Sequence, residues 1–73
     1  MKEYYANIEK ERIIHGETRA DVAKLLDMSN DYLSKKIRGI RFWTIEDIET
    51  LCKHYDKDYY YLFEKTIIPQ EGV

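Results

Sequence analysis

A chain of 73 residues with a net charge of -2 leaves room for one domain. At this size folding hides only about 60% of the chain's surface, which excludes a large enclosed substrate chamber. The composition is globular, 44% apolar and 36% charged with three Gly and one Pro, and no stretch reaches the ~18 consecutive apolar residues of a membrane-spanning helix.

Helix caps are the punctuation of this chain, because no Gly/Ser/Pro-rich linker, low-complexity run or repeat divides it. Breaker-free residues from about 2 to 15, with Tyr5, Ile8 and Arg12 at near-helical spacing, predict a first helix that stops at Gly16. Thr18, with Asp21 three residues on, predicts a second helix over about 19–26, its apolar face formed by Val22, Ala23 and Leu26. Ser29 is the next cap, and Leu33 and Ile37, four apart, predict a short third helix over about 30–37, closed near Gly39. Thr44 and Asp47 repeat the cap signature. Ile45, Ile48, Leu51, Cys52 and Tyr55 then predict the most regular helix, with Asp56 as a left-handed terminator. Asp58 caps a last short helix carrying Tyr59, Leu62 and Phe63. The expectation is an all-α domain of five helices over residues 1–65, followed by a tail, 66–73. Pro69 and Gly72 favour fraying there, and Ile67 and Ile68 are available to dock on a partner.

Charge is spread unevenly. Residues 1–29 carry five basic and six acidic side chains; residues 30–41 carry Lys35, Lys36, Arg38 and Arg41 against Asp31; residues 42–73 carry three basic and seven acidic. A solvated face accounts for such a run as well as a binding site does. However, the basic segment coincides with the second of two short helices joined by a tight turn, the unit that inserts a helix into a DNA major groove. With Leu33 and Ile37 inward, Asn30, Asp31, Ser34 and Lys35 are the base-reading candidates. Asn suits adenine, Lys suits guanine acceptors, and Asp suits a cytosine amine. Arg19, Ser29, Lys36, Arg38 and Arg41 are the phosphate-contact candidates.

Over residues 7–63 these features resemble the Cro/repressor-type helix-turn-helix family, in its phage-associated subgroup. Gly16-Glu17-Thr18-Arg19 stands where the family has Gly-hydrophobic-Thr-Gln, and Val22-Ala23 is similar to its hydrophobic-Ala pair. Met28-Ser29 resembles the lead into the recognition helix, Leu33-Ser34 its middle, and Gly39 the glycine that ends it. Phe42-Trp43-Thr44-Ile45 is similar to the subgroup's lead-in to the fourth helix, and Tyr61-Leu62-Phe63 to its closing motif. Glu17, Asp27 and Lys57 depart from an apolar residue, a Gly and an apolar residue respectively. Arg19 replaces a Gln that in the family meets a phosphate and braces the recognition helix; arginine keeps the phosphate role but not the same brace.

The resemblance implies a compact five-helix lambda-repressor-like DNA-binding domain, its helix-turn-helix at about 18–38. It further implies a transcriptional regulator, phage or prophage encoded, acting by operator occupancy. Two copies, as a homodimer on DNA, would read palindromic half-sites of a double-stranded operator. The acidic C-terminal half, Asp31 and the aromatic excess also fit a different class: an antirepressor, or protein-interaction module, that masks the basic recognition helix of a partner repressor protein.

The remaining residues read as structural. His15 and His54 accompany no metal-ligand spacing and read as surface or helix-end histidines, so no metal is expected. Cys52 reads as a small buried thiol on the inner face of the fourth helix. A lone cysteine, with no basic-then-apolar leader pattern at the start, gives the expectation of a reduced, cytoplasmic setting without membrane association. Trp43 reads as core, whereas Phe42, Tyr59, Tyr60 and Tyr61 cannot all point inward. No nucleophile–base pair or phosphate loop is visible, so neither an enzyme nor a cofactor is expected.

Overall fold

A computed structural model of the chain describes residues 2–68. In chain order the elements are β1 (Lys2–Tyr4), α1 (Ala6–Ile14), α2 (Arg19–Leu25), α3 (Asn30–Ile37), α4 (Ile45–Tyr55), α5 (Tyr59–Leu62) and β2 (Thr66–Ile68). The domain is mostly helical, as the all-α expectation has it, with the two short strands added as an antiparallel ribbon.

Four of the five helices begin at a side-chain cap. Thr18 and Asp21 close a reciprocal capping box on α2, and Thr44 and Asp47 close another on α4, each satisfying two amides that the helix itself leaves unpaired. Ser29 Oγ accepts from the Tyr32 amide at 3.1 Å and Asp58 Oδ1 from the Tyr61 amide at 2.8 Å. Termination is equally local. Asp27 and Asp56 take left-handed conformations (φ 56 and 53), doing what glycine does at positions of this kind.

The expected first helix is corrected at its start. Lys2–Tyr4 is strand, paired with Thr66–Ile68 in the register Lys2 opposite Ile68 and Tyr4 opposite Thr66. Thr-Ile-Ile is strand-prone, and α1 lacks a side-chain cap at Tyr5, so ladder pairing satisfies a backbone that a frayed helical turn would leave to water. The Tyr5 amide instead donates to the Ile37 carbonyl at 3.0 Å. The tail expected to fray from residue 66 therefore begins as β2, while Pro69 and Gly72 lie outside the described residues.

Ile8, Val22, Leu33, Ile37, Leu51 and Leu62, one or two from each helix, are fully buried in one core. Each such side chain contributes roughly 1.5 to 3 kcal/mol by leaving water. On α4 the buried seam is Asp47, Leu51 and Tyr55, spaced by four. This register corrects the apolar face expected there: Ile45 is 74% exposed, and Ile48 and Cys52 sit half-buried on the flank. Trp43 packs against the core as expected, its ring meeting Tyr5 and Phe63 edge-on at 5.7 and 5.3 Å between centroids. Among the described residues no helix is long and apolar enough to cross a membrane.

Candidate nucleic-acid interface

α2 and α3 are joined by a turn through Asp27, whose left-handed backbone lets the Met28 amide reach back to the Ala23 carbonyl at 2.9 Å. The turn aims α3 so that Leu33 and Ile37 are buried while its opposite side faces solvent. Asn30 and Asp31 are exposed in its first turn, and Ser34 and Lys35 are half-exposed one turn on. The four base-reading candidates thus share one face. A surface groove of about 440 Å³ runs beside them, lined by Ala20, Ala23, Lys24, Asp27, Met28 and Asn30.

Asp31 and Lys35 form an i,i+4 ion pair at 3.3 Å, so part of the charge of each is spent on the other. Arg38 is exposed after α3, its Nε donating to the Ser34 carbonyl at 3.3 Å, and Gly39 (φ 76) turns the chain into a loop that exposes Arg41. Ser29 lends its oxygen to the cap of α3 and keeps a hydroxyl proton to offer an anion.

Lys36 is a correction to the phosphate-contact set. It is 2% exposed and its Nζ donates to Asp47 Oδ2, between the Tyr32 ring at 5.0 Å and the Trp43 ring at 5.9 Å. The helical period explains this, because Lys36 adjoins Ile37 and follows Leu33 by three positions, on the flank facing α4. Burial works against the charge of Asp47. The Lys36 ammonium, with the amide and hydroxyl of Thr44, outweighs it and holds the carboxyl below its ordinary range.

Arg19 keeps an exposed edge, but it also braces α3. Its Nε and Nη2 donate to Glu9 Oε1 at 2.8 and 2.5 Å, and its Nη1 donates to Ser34 Oγ at 3.2 Å. The brace on α3 is a guanidinium–hydroxyl bond to Ser34 in place of the glutamine contact of the resembled family. Glu9 is buried, which favours its neutral form, yet Arg12 and Arg19 together hold its carboxyl below the usual value. The bond to Glu9 pushes the Arg19 guanidinium further toward its charged form.

Sequence reasoning passed over Tyr32 and Glu9. Tyr32 is 41% exposed, and its ring lies near both Lys36 and Arg41. Its spacing of four from Lys36 was the available signal. Glu9 carried none, because its partner Arg19 belongs to the next helix. Away from α3, His15 and His54 come together with ring centroids 6.3 Å apart, and His54 Nε2 lies 2.6 Å from Glu17 Oε2. Glu17 also accepts from the Tyr55 hydroxyl at 2.8 Å, which explains a carboxylate where the resemblance leads one to expect an apolar residue. Among the described residues no three His, Cys, Asp or Glu converge on a metal position.

Phe42, Tyr60, Ile45 and Tyr59 are exposed, Phe42 by 94%, and Phe42 and Tyr59 line a pocket of about 230 Å³ together with Tyr5, Trp43, Ile48 and Phe63. Comparison with family models, with curated proteins and with solved structures finds no match to this chain.

Proposed function

We propose that this chain is a sequence-specific DNA-binding transcriptional regulator of the Cro/repressor type. It has a lambda-repressor-like fold, with α2 and α3 as its helix-turn-helix, and it acts by operator occupancy without a catalytic step. The observation that carries the reading is the division of α3: Leu33 and Ile37 are buried, while Asn30, Asp31, Ser34 and Lys35 face solvent together, followed by exposed Arg38 and Arg41. Exposed polar side chains on a rigidly seated helix suit base edges, and the arginines after it suit phosphates. The resemblance to phage and prophage regulators supports the same reading, and the location it implies is cytoplasmic, where operator DNA is accessible.

Selection of duplexes from random DNA by the purified chain, with affinities measured across salt, tests it. With Lys36 neutralised inside the fold, two or three phosphate contacts per chain remain, from Arg38, Arg41 and the exposed edge of Arg19. The slope of log K against log salt is then about -1.8 to -2.7 per chain. A flat salt response would remove the DNA role.

A second reading is favoured by one observation, the exposed aromatic residues Phe42, Tyr59 and Tyr60, of which Phe42 is 94% exposed. An antirepressor that docks on a partner regulator would use such a surface, since exposed aromatics anchor protein contacts. A stoichiometric partner captured from host extract by wild type and lost with Phe42→Ser, in the absence of any selected duplex, would establish that reading in place of the first.

A further inference from the structure

Glu9, Arg19 and Ser34 come from three different helices and share one chain of hydrogen bonds. Glu9 uses both oxygens: Oε2 accepts from Arg12 Nε at 2.7 Å, and Oε1 accepts from the Nε and Nη2 of Arg19. Arg12 is itself tied down, its Nη1 donating to the Glu17 carbonyl at 2.6 Å. A buried carboxylate held from one side and holding from the other fixes the guanidinium plane of Arg19. Of the five N–H donors of that group, three are engaged by Glu9 and Ser34, and the Tyr4 side chain also interacts with it.

The consequence falls on Ser34. A guanidinium has no acceptor, so at the Arg19–Ser34 contact the serine oxygen can only accept. The serine proton must then point elsewhere, and among the described residues Ser34 Oγ donates to no protein group. The cation also withdraws electron density from the oxygen. That strengthens the O–H as a donor and weakens the remaining lone pair as an acceptor.

We infer that the Glu9–Arg19–Ser34 relay sets Ser34 as a hydrogen-bond donor toward bound DNA. Ser34 then selects a base with a major-groove acceptor, and Glu9 is the positioning residue that makes the selection possible. The inference rests on α3 being the helix that reads DNA. Guanine, adenine and thymine each present an acceptor in the major groove, whereas cytosine presents only its amino donor. Cytosine is therefore the disfavoured base opposite Ser34, because only the weakened second lone pair is left to accept from its amine. A serine free to rotate would accept from cytosine or donate to the others, and would discriminate little.

Full-length wild type, Ser34→Ala, Ser34→Thr, Glu9→Gln and Arg19→Lys are each used to select duplexes from random DNA, and all four bases are then measured at every position of the selected site. Wild type is expected to disfavour cytosine by about five- to tenfold at one position. Ser34→Ala and Glu9→Gln each bring that preference to twofold or less at the same position only, and Ser34→Thr, which keeps the hydroxyl, retains it. Arg19→Lys keeps the charge but loses the fork, so it loses the preference while the salt dependence stays. A Glu9 that merely stabilised the fold would lower affinity for all sites alike. Such a uniform loss, or an unaltered base preference in Ser34→Ala, overturns the relay and leaves the DNA reading standing. If folded wild type selects no duplex, the DNA reading itself is what fails, and the relay's role goes with it. Should Glu9→Gln not fold, the contrast of Ser34→Ala and Arg19→Lys with Ser34→Thr decides the matter.

Discussion

Lys36 and Asp47, eleven residues apart in the chain, form an ion pair buried at the junction of α3 and α4. Asp47 is also half of the capping box that starts α4, so one carboxylate both begins that helix and fastens α3 to it. Removing one partner strands the other charge away from water. Lys36→Met is expected to lose about 3 to 5 kcal/mol, a large share of what a domain this size holds. Lys36→Met combined with Asp47→Leu should recover much of the loss, less the cap. Urea denaturation of wild type, Lys36→Met, Asp47→Leu and the double variant gives the coupling; single losses that simply add in the double variant would mean that the pair is not coupled.

Acid is expected to unfold the domain through Glu9 and Asp47. Both carboxyls are lowered in the folded state from ordinary values of 4.5 and 3.8, so as pH falls the unfolded chain takes up their protons first. Their contribution is complete above the unfolded values and disappears as pH falls through them toward the folded ones. Melting temperature should therefore be level down to about pH 5 and drop below it. Asp47→Asn should be less stable at neutral pH and show a shallower acid limb.

The opposite sign holds for Tyr55. Burial, with the bond to Glu17, pushes its phenol well above the ordinary value of 10.0, so folding keeps the proton that the unfolded chain gives up. Stability is full below pH 10 and declines above it. Tyr55→Phe should flatten that alkaline limb at a cost of about 1 kcal/mol near neutrality, the worth of a typical hydrogen bond. Absorbance of phenolate during alkaline titration, followed beside circular dichroism, would show whether the two changes coincide.

The α4 register separates two aliphatic neighbours. Leu51, fully buried, should lose about 2 to 5 kcal/mol as Leu51→Ala, whereas half-buried Ile48 should lose about half as much. Ile45→Ser should stay within about 0.5 kcal/mol of wild type. Thermal melts of the three variants check the order; an Ile48 variant as damaged as the Leu51 variant would contradict the register.

Asp31 distinguishes the two functional readings. It is exposed and paired with Lys35, so Asp31→Asn should keep the fold and release the lysine. On the DNA reading, duplex binding tightens generally, or one cytosine preference relaxes if the carboxylate accepts from the amine. On the antirepressor reading, the partner complex weakens, most at low salt. Affinities for duplex and partner at two ionic strengths tell these apart.

Caps made the helices legible. Thr18, Ser29, Thr44 and Asp58 each act on an amide three residues away, and the two left-handed aspartates act on their own backbone, so nothing distant is needed to read them. Whatever depends on distant pairing was hidden. The strand Lys2–Tyr4 exists because of Thr66–Ile68, the burial of Lys36 because of Asp47, and the fixing of Arg19 because of Glu9. In the candidate interface the outward residues of α3 followed from Leu33 and Ile37 alone. The real charge of the interface did not, since Lys36 is buried away from that face, and Arg19, Lys35 and Lys36 are each matched by a carboxylate that a local count assigns elsewhere or treats as independent.

The β1–β2 ribbon joins residues at opposite ends of the described chain, and directly after it the Tyr5 amide holds the last carbonyl of α3. A pairing with so much chain between its halves pays the largest loop-closure entropy in the molecule, and three residues a side give little to oppose it. Such a ribbon closes late in folding and opens early in native-state fluctuations, exchanging its amide hydrogens while the helices stay protected. The Tyr5–Ile37 bond ties the end of α3 to the chain directly after β1, so the C-terminal end of α3 has a neighbour whose pairing spans strands more than sixty residues apart.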